Sequence, residues 1–206
     1  MSSTRYRLSF TTGGLFSQES AMVAEIYLRT QDWLLTREQV RTDNLLQVRT
    51  ASAALRISKE LVARLELLTI PELECIVDGS IRERGYLLWS ATCRRYDFIR
   101  DFAVEILREY FVTLRQELHL KDFDAFFNGK ALWHEELDNT APSTQNKLRQ
   151  NLFRMLREAD LISAQHIIQP AMLTPRIATL LAEHGRDAFL IYPLADTDID
   201  GLLRKS

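Results

Sequence analysis

The chain is poor in residues that build special chemistry or special backbone. It has only two cysteines, Cys75 and Cys93, in 206 residues. They do not form a Cys-x-x-Cys pair, which argues against a disulfide framework or thiolate metal site and for reduced, buried thiols. Seven glycines and five prolines are too few for a loop-rich or low-complexity protein. No apolar run approaches the roughly eighteen residues of a membrane span, and the nearest candidate, residues 86–93, contains Ser90 and Thr92. The opening MSSTRYRLSF lacks the apolar core of a secretion signal, so no membrane and a cytoplasmic location are the expectations. Nor is positive charge in excess: 26 basic against 28 acidic side chains leave a formal net charge of −2. Such a chain can meet nucleic acid only through local basic patches.

Catalytic signatures are missing too. Gly13-Gly14 is not followed by the Gly-Lys-Ser/Thr of a phosphate loop. His134-Glu135-Glu136 lacks the second histidine of a zinc-protease helix, and His119, His166 and His184 stand without ligand-spaced partners. Asp122 and Asp124 suit helix capping beside Phe123, while Asp196, Asp198 and Asp200 lack the glycine and terminal glutamate of a calcium loop. No serine or cysteine nucleophile motif is present. The expectation is a protein with no catalytic residues, no metal and no cofactor.

What is present is helical. Hydrophobic residues make up 46% of the chain, enough for one sizeable core or two small ones. Period-3.6 patterning predicts a helix over 17–29 with Met22, Val23, Ile26 and Tyr27 inward. Thr36 and Gln39 are spaced as a capping box opening a short helix, and a long helix is predicted over 45–68 with Leu46, Ala53, Ile57, Leu61, Leu65 and Leu68 on its buried face. Pro71 opens the next, over 72–77, closed by Asp78-Gly79. Residues 81–93 and 98–118 carry the densest apolar content, from Leu87 and Trp89 to Phe111 and Leu114. A short helix over 121–127 is predicted to stop at Asn128-Gly129, followed by helices over 130–137, 174–184 and 198–205. Residues 162–169 and 189–192 are candidate strands. The expected fold class is all-α, a compact multi-helix globular fold, with an N-terminal helical core over 1–128 and a C-terminal portion over 129–206.

One segment stands out. Residues 143–162, STQNKLRQNLFRMLREADLI, place Leu148, Leu152, Met155, Leu156 and Ala159 on one helical face at about 100° per residue. Lys147, Gln150, Asn151, Arg154 and Arg157 fall on the other, and Thr144 and Arg149 add to a stretch without an acid from 143 to 157. Arginine and lysine meet phosphates, and amide side chains pair bidentately with adenine in a major groove. Pro142 favours a turn before this helix, and Ala159-Asp160-Leu161-Ile162 stands where winged-helix proteins turn into the wing, with Asp160 in place of the usual glycine. Asp tolerates the left-handed conformation that turn requires better than most residues. A second basic face runs through 44–59, where Arg49, Ser52, Arg56 and Lys59 lie within about 80° of arc. With Arg41 and Asn44 before it, this is a candidate second helix-turn-helix. The competing reading of both is a solvated helix face.

The chain resembles the BrxA family, a core component of bacteriophage-exclusion (BREX) defence systems. The resemblance runs from Tyr6 to Pro193 and rests on order and spacing: Leu15 with Glu19, Asn44-Leu45-Leu46-Gln47 with Arg49-Thr50, Leu88-Trp89, Tyr96, Asp101-Phe102, Asp122-Phe123-Asp124-x-Phe126, Lys147-Leu148-Arg149 and Met155-Leu156-Arg157-Glu158-Ala159. It implies a helical fold likened in part to the antitermination factor NusB and no catalytic residues. It also implies a place beside a methyltransferase and other BREX subunits, and binding of double-stranded DNA through helix-turn-helix elements. A monomer is expected for the isolated chain. The alternative is a NusB-like scaffold for RNA or protein. Single-strand recognition stacks bases on exposed aromatics, and neither basic face contains one.

Overall fold

The computed structural model describes residues 5–42, 45 and 50–205. These are mostly helical, as the periodicity predicted, and no strand forms among them. The chain divides into two compact units: Leu15–Arg95, and Met1–Gly14 with Tyr96–Ser206. Of the two stretches that read as plausible seams, Asn128-Gly129 lies inside a helix and residues 138–142 span the junction between two helices.

The first unit holds α1 (Ser17–Thr30), α2 (Trp33–Thr42), α3 (Ala51–Leu65), α4 (Ile70–Asp78) and α5 (Ile81–Arg95). Val23 and Ile26 of α1, Val40 of α2, Leu61 and Leu65 of α3, Leu73 and Ile76 of α4 and Leu87 and Trp89 of α5 are buried. Met22, predicted inward, is 36% exposed. Capping corrects the predicted start of α2: Asp32 accepts from the Leu34 and Leu35 amides at 2.6 and 3.2 Å, one turn before Thr36. Thr36 is buried inside the helix, its hydroxyl donating to the Asp32 carbonyl at 2.7 Å. The long helix expected over 45–68 is the shorter α3, capped by Thr50 accepting from the Ala53 amide, and Leu46 lies outside the described residues. A true capping box opens α4, where Thr69 and Glu72 exchange bonds and Pro71 occupies the first turn. Glu72, fully buried, is also gripped by Arg94 of α5 at 2.5 and 2.9 Å.

The second unit is built around aromatic rings. Helices α6 (Asp97–Phe102) and α7 (Glu109–Val112) are joined through a π-helical stretch, Ala103–Arg108. Leu114, predicted core, instead turns left-handed after α7 and is 85% exposed. Helix α8 (Leu120–Ala131) brings Phe123, Phe126 and Phe127 within 5.2–5.8 Å of Phe98. It runs through Asn128-Gly129 because burial of Phe126 and Phe127 outweighs the cost of one mid-helix glycine, about 1 kcal/mol. The helix predicted over 130–137 is therefore split between the end of α8 and α9 (Glu135–Asp138). The N-terminal segment closes this core: Phe10 lies on Phe98, and Tyr6 stacks on His134 with centroids 4.0 Å apart. Helices α10 (Pro142–Glu158), α11 (Pro175–Ala182) and α12 (Asp196–Leu203) complete the unit.

Neither candidate strand forms. Residues 189–192 follow a 3₁₀ turn, Arg186–Phe189. Residues 161–169 fold back as a short ribbon with one isolated bridge, Ile162 to Ile168, and another from Ile167 to Glu117. The Ser163 amide donates to Ile167 O at 2.8 Å, and the Ile168 amide to Gln116 O at 2.8 Å.

Candidate nucleic-acid interface

Pro142 is the first residue of α10, where its missing N–H removes no helical bond. From there to Arg157 the helix contains no acid. Leu148, Leu152, Met155, Leu156 and Ala159 are buried, as their spacing predicted, and Phe153 joins them. The opposite arc carries Ser143, Lys147, Gln150, Arg154 and Arg157, all exposed and within about 80° on an ideal helix. The stripe is about 21 Å long at 1.5 Å per residue.

The sequence-predicted residues divide by what they touch. The side chains of Lys147 and Gln150 make no ion pair or hydrogen bond among the described residues. Arg154 donates to Glu158 Oε1 at 2.7 Å, an exposed i,i+4 pair. Arg157 contacts His166 Nε2 at 3.3 Å. Guanidinium has no acceptor, so Nε2 must present a lone pair and His166 must be neutral there. Burial, then the charges of Arg157 and His119, lower the His166 pKa and favour that form. Arg149 and Asn151 turn elsewhere. Arg149 lies nearer the core edge of α10 than the stripe and binds Asp124 of α8 at 2.5 Å, with Asn146 at 2.8 Å. The Asn151 amide donates at 2.9 Å to the carbonyl of Phe10, holding the N-terminal segment on α10. Thr144 is half-buried in the first turn.

Asp160 adopts φ 58°, the left-handed turn its position called for, and leads into the 161–169 ribbon, whose tip exposes Ala164 and Gln165. Asp122 caps α8, accepting from the His119 amide at 2.7 Å, and also receives Tyr110 and Arg115. Asp196 and Asp200 hold Arg186. No cluster of three metal-ligating side chains occurs among the described residues.

The second basic face is partly described. Arg41 lies in the last turn of α2, and Ser52, Arg56 and Lys59 are exposed on α3; Asn44 and Arg49 lie outside the described residues. The missed feature here is apolar: Leu34, Leu35 and Leu55 are 73%, 53% and 60% exposed beside these cations.

The BREX protein BrxA of Escherichia coli O9:H4 (strain HS) is 27% identical over 176 residues, covering 84% of this chain and 83% of that one. The BREX protein BrxA of Paramagnetospirillum magneticum is 29% identical over 198 residues, covering 90% and 94%. A crystal structure of an uncharacterized protein from Magnetospirillum magneticum shares the fold, with a TM-score of 0.76 at 21% identity over 93% of this chain and 100% of that one. The sequence profile of the BrxA family matches residues 4–185, and the chain therefore belongs to the BrxA family.

Proposed function

We propose that the chain is a non-enzymatic, double-stranded DNA-binding component of a BREX phage-defence system, acting beside its methyltransferase and other subunits, with α10 as the groove-reading helix. The exposed Ser143–Lys147–Gln150–Arg154–Arg157 stripe carries this reading, because it offers phosphate-binding cations and a base-reading amide on one face without an interposed acid. Helix α8, the short α9 and α10 succeed one another as a helix-turn-helix would, and the 161–169 ribbon stands in the place of a wing. The Arg149–Asp124 and Asn151–Phe10 bonds then act as positioning contacts that fix the helix against its own core. An aromatic-free stripe favours duplex over single strands, whose unstacked bases need stacking platforms.

The test is anisotropy of labelled duplex DNA, single-stranded DNA and duplex RNA of equal length against the full chain. The expected order puts duplex DNA first, with loss of affinity in a Lys147→Ala/Arg154→Ala/Arg157→Ala variant that keeps its helical circular dichroism. Equal affinity in that variant would remove α10 from the interface.

A further inference from the structure

Between α2 and α3 lies an open groove of about 500 Å³. Leu34 and Leu55 line it, both largely exposed, together with Arg37, Arg41 and Lys59 and, among the described residues, a single acid, Glu38. Glu66 neutralises Arg37 at 2.7 Å. Arg41 and Lys59 have no ion pair among the described residues, so the lining keeps a positive surplus. A lone exposed leucine on a soluble protein is ordinary, but two that share one concavity mark a surface built to be covered.

Duplex DNA is a poor cover. Its backbone offers phosphate and sugar, and the thymine methyl is the one apolar feature it presents in the major groove. An amphipathic helix offers what the groove lacks: apolar anchors at helical spacing for the floor and carboxylates for the rim. We propose that this groove docks an acidic amphipathic helix of a partner protein, its apolar anchors between Leu34 and Leu55 and its carboxylates on Arg41 and Lys59. The two basic faces then do different work, one for a duplex and one for a protein.

The experiment selects displayed random helical peptides on the full-length chain and counter-selects on Leu34→Glu/Leu55→Glu, whose exposed positions tolerate charge and whose fold is checked by circular dichroism. Surviving peptides should carry leucine or phenylalanine at helical spacing flanked by Asp and Glu. A labelled survivor should bind Arg41→Glu/Lys59→Glu at least ~10-fold more weakly, as expected for two rim pairs reversed. Duplex affinity should stay unchanged in the leucine variant. A pool that the leucine variant does not deplete, or one rich in basic or neutral peptides, overturns the proposal. Two other occupants would also overturn it. DNA is the occupant if the leucine variant loses duplex affinity and no acidic pool emerges. A second copy is the occupant if sedimentation shows self-association that Leu55→Glu abolishes.

Discussion

Replacing Lys147 and Arg154 with alanine tests the α10 interface where it is quantitative. Each neutralised phosphate contributes about 0.9 to the slope of log affinity against log salt. Two lost contacts should lower the slope by about 1.8, so between ~50 and ~200 mM salt the variant should lose about tenfold less affinity than the parent. The two residues are not equivalent. Lys147 is unengaged among the described residues, whereas Arg154 shares its charge with Glu158 in a pair whose side chains are 57% and 31% exposed. Exposed pairs of this kind are worth about 0–1 kcal/mol, so a phosphate can compete for Arg154. Glu158→Gln should therefore strengthen duplex binding, by up to about fivefold at the top of that range. The assay is anisotropy at five salt concentrations, with Arg204→Ala/Lys205→Ala, an equal change in net charge at exposed residues just past α12, as control. An unchanged slope in Lys147→Ala/Arg154→Ala, or the same slope change in the control, would refute the contact and leave only a general charge effect.

Leu152→Ala should cost roughly 2–5 kcal/mol by urea unfolding, because Leu152 is fully buried and a cavity replaces it; a loss below about 1 kcal/mol would show that α10 is not seated on the core. Glu72→Ala should cost about 3 kcal/mol, at the low end for breaking a buried pair because Arg94 keeps 21% exposure. A neutral result in the same unfolding assay would contradict the Thr69–Glu72–Arg94 network. Burial pushes the Glu136 carboxyl up, but bonds from its own backbone amide, the Tyr6 amide and His134 outweigh it and hold the pKa below the ordinary value. Its contribution to stability is thus present above about pH 4.3, the unfolded value, and is lost as pH falls through the lower folded one. The urea midpoint should fall on acidification below that point, and Glu136→Gln should flatten this part of the profile. An identical profile in Glu136→Gln would assign the acid loss to other groups.

Much of the fold was legible because its signals were long and redundant. Helix α10 repeats an apolar position five times and has no acid before Glu158, its last residue, so one register satisfies all of it. Short signals failed where tertiary contacts overruled them. Thr36 and Gln39 have capping-box spacing, yet α2 begins a turn earlier because Asp32 caps it and Trp33 stacks on Tyr27 with centroids 3.8 Å apart. Asn128-Gly129 reads as a stop only while the burial of Phe126 and Phe127 is left out. The apolar run at 189–192 is as compatible with a turn as with a strand, and nothing in four residues decides between them.

The site was harder to read, because a charged side chain's role depends on what faces it. The arithmetic that placed Lys147 and Arg154 together also sets Arg149 near the core edge of α10, so its turn toward α8 could have been found from the sequence. The Asn151 bond to Phe10 could not, since 141 residues separate the two and nothing local links them. The two basic faces look alike as strings of Arg, Lys, Ser and amide residues. They differ in what lies between the cations. On α10 the intervening exposed positions are polar; at α2 and α3 they include Leu34 and Leu55, and Leu34 precedes the helix start that Thr36 suggested. A helix boundary misplaced by one turn thus hid the leucine that turns the α2–α3 face from a solvated basic surface into an apolar groove with a cationic rim.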